Sequence, residues 1–145
     1  METSLEDTVL EPALLQAYRE THYEVGPPHA MTLRVGESSG PLAALMAAAG
    51  VQGAAFVTAA NPLSQPLGWE ENEALLASLR AALAAEGWVV HGGRGRHPGG
   101  GWDPEPSLLV LGLDREEAVL LGHRWRQNAV VWAGDDAVPR LLLLR

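Results

Sequence analysis

A chain of 145 residues suits a single domain over 1–145, and a domain of this size typically buries about 68–70% of its unfolded surface, enough for a core without disulfide or metal staples. Cys is absent and the formal net charge is −8, which excludes disulfides, thiol chemistry and Cys-ligated zinc, and disfavours a nucleic-acid partner that needs a basic face. Mean hydropathy is near zero, no apolar run approaches the roughly 20 residues of a membrane span, and the opening Met1–Asp7 is acidic where a secretory signal is basic, so the expectation is a cytoplasmic protein without a membrane partner.

Residues 1–10 read as a disordered tail. Pro12–Arg19 reads as a helix, with Pro in the first turn and Leu14, Leu15 and Tyr18 at three-to-four spacing. Tyr23–Val25 reads as a short edge strand, Gly26-Pro27-Pro28 as a break, and Met31–Val35 as an alternating strand. Ser38-Ser39-Gly40-Pro41 turns into a helix over Leu42–Ala49 that stops at Gly50. Gly53–Ala60 is apolar throughout and reads as a buried strand. Asn61-Pro62 ends it, and the proline is expected to hold Asn61 extended.

The clearest helix spans Trp69–Glu86, with Leu76, Leu79 and Leu83 on one face and Gly87 after its end. A strand at Trp88–His91 follows, then a Gly-rich loop over 92–106, then a strand at Ser107–Leu111. Asp114 with Glu117 makes an acidic capping box for a helix to about Arg126. Asn128–Trp132 and Val138–Leu144 close the chain as strands joined by a turn at Ala133–Asp136. The elements predict one α/β or α+β layered domain, a mixed sheet of about five to six strands with about four helices.

Lys and Ile are absent, so all ten basic residues are Arg. A GC-rich coding bias produces that pattern, and it also makes the three Asn residues informative, because Asn codons are AT-rich as well. If consecutive elements, strands and helices together, alternate in direction, Asn61 sits at the upper end of its strand and Asn72 on the inward face of the next helix's first turn. Glu105 and Ser107 then enter the same corner from above, and Gln127 and Asn128 arrive there from below. Strand ends facing helix N-termini are common ligand sites in layered α/β domains. The candidate site is therefore Thr58, Asn61, Ser64, Asn72, Ser107, Gln127 and Asn128 for binding, with Glu105 as the one plausible general base. Arg94, Arg96 and His97 are an island of positive charge in the Gly-rich segment, which reads either as a disordered loop or as a lid whose cations would gate an anionic ligand.

Several motifs fail on context. Gly36-Glu37-Ser38-Ser39-Gly40 matches G-x-S-x-G, but too little chain precedes it to build a hydrolase sheet, and His123 falls in a helix's last turn. Gly93-Arg94-Gly95 lacks the third glycine and the following helix of a dinucleotide fingerprint, and there is no phosphate-binding loop. The five His residues lack metal-ligand spacing, so neither a metal nor another cofactor is expected. The five Trp residues are dispersed and read as core.

Thr58-Ala59-Ala60-Asn61-Pro62 with Ser64 and Asn72, Trp102 followed by Glu105-Pro106-Ser107, and Gln127–Val131 together resemble the bacterial family catalogued as domain of unknown function 3293, over about Tyr18 to Leu144. The resemblance implies which polar residues matter and supplies no reaction. The leading expectation is a domain whose corner binds a polar or anionic small molecule. A protein–protein interaction module, its Asn residues bracing the scaffold, is the alternative. A metal-independent hydrolytic or acid/base enzyme using Glu105 is the third.

Overall fold

The computed structural model describes residues 1–100 and 103–145. In chain order the elements are α1 (Pro12–Glu20), β1 (His22–Val25), β2 (Met31–Leu33), α2 (Gly40–Ala49), β3 (Ala54–Thr58), a single 3-10 turn at Pro62–Ser64, α3 (Trp69–Ala85), β4 (Val89–Arg96), β5 (Glu105–Leu111), α4 (Arg115–Arg124), β6 (Ala129–Ala133) and β7 (Arg140–Leu143). The helix boundaries have local causes. Ser39 Oγ accepts from Leu42 N at 3.2 Å to start α2, and Gly50, at φ 69°, ends it in the left-handed region that costs glycine little. Asp114 Oδ1 accepts from Glu117 N at 2.8 Å while Glu117 Oε1 accepts from Asp114 N at 3.0 Å, the reciprocal box expected for α4.

All seven strands join one sheet in the order β2-β1-β4-β5-β3-β6-β7. Every neighbouring pair is antiparallel. This corrects two expectations: the sheet is antiparallel instead of mixed, and it has seven strands instead of five to six. The two short strands at one edge are recruited because β4 runs on through Gly92–Arg96 and pairs with β1 as far as His22↔Arg96. The Gly-rich segment is thus half strand, and only residues 97–104 separate β4 from β5.

The glycines were misread because glycine weakens a strand on propensity, whereas here packing requires its bare backbone. A Cβ on Gly93 would lie 2.3 Å from the Glu24 carbonyl oxygen and 3.1 Å from Phe56 Cε2. Residues 1–10, expected as a disordered tail, carry contacts of their own: Thr3 N donates to the Leu143 carbonyl at 2.7 Å, and Leu10 is buried beside Leu15 and Leu143.

The sheet is covered on both faces. Leu79 and Leu83 of α3, with Ala118, Val119 and Leu121 of α4, pack on Ala55, Val57, Leu108, Val110, Val130 and Leu142. The alternate residues Tyr23, Val25, Phe56, Leu109 and Val131 face α2 through Leu42 and Met46, and α1 lies farther along that face over Leu141 and Leu143. No helix among the described residues is long and apolar enough to cross a membrane.

Candidate functional site

Between α1 and the upper ends of β3, β5 and β6 lies a cavity of about 480 Å³. All eight residues placed at the corner by sequence line it: Thr58, Asn61, Ser64, Asn72, Glu105, Ser107, Gln127 and Asn128. The strand directions explain the convergence. β3 rises to Thr58 while β5 and β6 descend beside it, so the end of one strand and the beginnings of two others share one edge.

The registers set the floor. Thr58 stands opposite Ser107, which stands opposite Gly93, and Glu105 stands opposite Gly95. Phe56 packs over Gly93, whereas Gly95 lines the cavity and a Cβ there would meet only Thr21 Cγ2 at 3.7 Å, so this glycine leaves room above the sheet. Phe56 and Tyr23 close part of it edge-to-face, with ring centroids 5.4 Å apart.

Asn61 is the hub. Its backbone adopts φ 46°, ψ 62°, which corrects the expectation of an extended residue before proline. Asparagine tolerates this left-handed geometry better than most residues, and two hydrogen bonds to Asn72 hold it: Asn61 N donates to Asn72 Oδ1 at 2.9 Å, and Asn72 Nδ2 donates to Asn61 Oδ1 at 2.9 Å. Leu67 N also donates to Asn61 Oδ1, at 2.9 Å. Asn61 Nδ2 in turn donates to Glu105 Oε2 at 2.7 Å. Leu63 and Ser64 are left-handed as well, at φ 54° and 60°, so the segment after β3 is bent back over the cavity by three non-glycine residues in a disfavoured region.

Glu105 receives that single hydrogen bond and no ion pair among the described residues, which leaves Oε1 without a partner there. Burial pushes its carboxyl above the ordinary glutamate range, and the Asn61 amide pulls it back only in part.

A second cluster faces it. Asn128 Nδ2 donates to Ser64 Oγ at 2.8 Å and to Tyr18 Oη at 3.3 Å, and the two hydroxyls share a hydrogen bond of 2.7 Å. Two hydroxyl protons serve one mutual bond, so one donor is left over. Arg145 Nη1 donates to Asn128 Oδ1 at 3.2 Å and orients that amide. Thr58 Oγ1 donates to the Pro106 carbonyl at 2.7 Å, Ser107 Oγ to the Glu105 carbonyl at 2.9 Å, and Gln127 Nε2 to the Ala60 carbonyl at 3.3 Å. These three brace the backbone around the cavity.

Arg94, Arg96 and His97 are not among its lining residues. Arg94 Nε and Arg96 Nε lie 2.8 and 3.1 Å from the two carboxylate oxygens of Glu24, on the opposite face of β4 from Gly93 and Gly95. Strand alternation carries these arginines away once the loop becomes strand. His97 Nε2 is 3.9 Å from Glu20 Oε2.

Sequence reasoning missed Tyr18, Tyr23 and Phe56, whose apolar periodicity looked like ordinary packing, and Asp103, a second carboxylate at the lining. Trp69, read as core, is 76% exposed at the start of α3 and also lines the cavity. Trp102 lies outside the described residues. No group of three or more His, Asp or Glu side chains able to hold a metal ion occurs among the described residues.

A family model described as Protein of unknown function (DUF3293) matches residues 57–130, just over half of the chain, and the chain belongs to that family. The matched span holds the eight corner residues and leaves Tyr18 and Tyr23 outside; it is narrower than the stretch from Tyr18 to Leu144 over which the resemblance was expected. No curated protein and no solved structure matches the chain.

Proposed function

We propose that this member of the DUF3293 family binds a small polar molecule in the cavity beneath α1. One observation carries the reading. Eight polar side chains from four separate stretches of the chain converge on one space of about 480 Å³, within the size range of small-molecule sites. Most of them are spent on bracing, which preorganises the walls. Hydrogen-bonding capacity remains for a guest, notably at the Glu105 Oε1 acceptor and the spare donor of the Tyr18–Ser64 pair.

Thermal-shift screening of small polar molecules against the wild type and Ala129→Phe tests this. Ala129 is half-buried on the lining, so the larger ring fills the space. A ligand present at about 100 times its dissociation constant adds roughly 2.7 kcal/mol, a midpoint rise on the order of 5–10 °C for a domain of this size. The rise is expected in the wild type and absent in Ala129→Phe; a rise of equal size in both places the binding elsewhere.

A second reading is favoured by Glu105 itself. A carboxyl moved toward neutrality by burial, held on one oxygen and open on the other, is equipped for general acid/base work. Glu105→Gln keeps the shape and the Asn61 contact but cannot exchange the proton. Any turnover found for a bound compound should vanish in that variant, and turnover that survives it removes Glu105 from the chemistry.

A further inference from the structure

The cavity's charge is one-sided. Glu105 and Asp103 line it, and no Arg or His does so among the described residues. Arg145 approaches from behind Asn128 and spends its contact on that amide. The positive end of the α3 dipole opens at the rim, but Glu70 and Glu71 occupy its first turn, and Glu71 Oε1 accepts from Gly68 N at 3.3 Å, offsetting the pull on an anion. The donor that Glu105 does have is a neutral amide. A half-buried carboxylate without a counter-cation is costly, and a guest can supply one.

The apolar part of the lining points the same way. Rings of Tyr18, Tyr23, Phe56 and Trp69 border the space, and aromatic faces attract organic cations. Trp69 is largely exposed at the mouth, an unusual position for a residue that only packs. A metal ion would need several oxygen ligands around it, whereas Oε1 of Glu105 is one ligand beside aromatic walls. The protein's net charge of −8 also favours the approach of cations.

On these grounds, and resting on the reading of the cavity as a small-molecule site, we infer that its ligand is a small organic ammonium. One N–H donates to Glu105 Oε1, the apolar body lies against Tyr23, Phe56 and Trp69, and an acceptor elsewhere on the ligand meets the spare hydroxyl donor of Tyr18 and Ser64.

Isothermal titration calorimetry with two matched probe sets tests the charge preference: 2-phenylethylamine, 2-phenylethanol and phenylacetate, then butylamine, butanol and butyrate. The titrations run at a pH of about 8, where a primary amine is protonated and the carboxylate probes are ionised. In each set the amine is expected to bind about ten- to a hundredfold more tightly than the alcohol, as a charged hydrogen bond replaces a neutral one, with the carboxylate weakest. Glu105→Gln should lose that preference while melting cooperatively. An alcohol or carboxylate that equals the amine overturns the inference and leaves the cavity as a binding site. So does unchanged amine binding in Glu105→Gln. If Glu105→Gln does not fold, the wild-type ranking decides alone. Silence of all six probes in both the wild type and Ala129→Phe overturns the small-molecule reading and the ammonium with it.

Discussion

Replacing Asn61 separates what its side chain bonds from what its backbone conformation costs. Asn61→Gly keeps the left-handed geometry at φ 46° but removes three side-chain hydrogen bonds, to Glu105, Asn72 and Leu67. Leu67 is 36% exposed, so water replaces its lost partner at little cost. Asn72 is 9% exposed, and its orphaned amide costs about 1–2 kcal/mol; the half-buried Glu105 carboxyl adds about 1 kcal/mol, discounted from a fully buried charged bond. The expected loss is about 2–3 kcal/mol. Asn61→Ala loses the same bonds and also forces a Cβ into the left-handed region, a net further loss of about 1 kcal/mol after the greater chain entropy of glycine is set against it.

Urea unfolding followed by the fluorescence of the five Trp residues measures both variants. A double variant with Asn72→Ala should fall short of additivity by about 1–2 kcal/mol, because the two singles break a shared bond. Equal stability of the Gly and Ala variants, or losses of under about 1 kcal/mol in both, refutes the assignment of Asn61 as a strained hub.

Four further outcomes follow from the same geometry. Burial raises the Glu105 carboxyl above 4.5, so the neutral form favours folding below that value and the stabilisation is lost as pH rises through the folded pKa. The stability of Glu105→Gln relative to wild type should therefore climb across that window in a pH series of unfolding curves, and a flat difference counts against a buried carboxyl. Asp136, held down to about 2 first by the Arg140 guanidinium, contributes stability above 3.8 that fades as pH falls toward 2, and acid unfolding of Asp136→Asn should lack that limb. Gly93→Ala should lose about 1–3 kcal/mol, since its Cβ meets the Glu24 backbone at 2.3 Å; chemical denaturation at wild-type midpoint would contradict the packing account of β4. Arg94→Ala and Arg96→Ala should leave the affinity of any cavity ligand unchanged in calorimetry, because both side chains turn to Glu24 on the other face.

Periodicity and punctuation in the sequence determined the local structure. Leu79 and Leu83 mark the buried face of α3, Gly50 and Gly87 end helices, and the Asp114–Glu117 box starts one. The alternation of consecutive elements was legible too: β3 rises, α3 returns, β4 rises, β5 descends, α4 returns and β6 descends, which brings Asn61, Glu105 and Asn128 to one edge. Tertiary structure decided the rest. Gly92–Arg96 became strand because β1 and Phe56 pack where side chains would stand, a contact between distant residues that no local propensity reports. Asn61 turned left-handed because Asn72 bonds to it from 11 positions away, overriding the bias of a residue before proline. Tyr18 and Trp69 joined the cavity, and Arg94 left it, through the placement of α1, α3 and one strand register. A one-residue register shift exchanges the two faces of a strand, and it is pairing between distant strands that fixes which face each side chain takes.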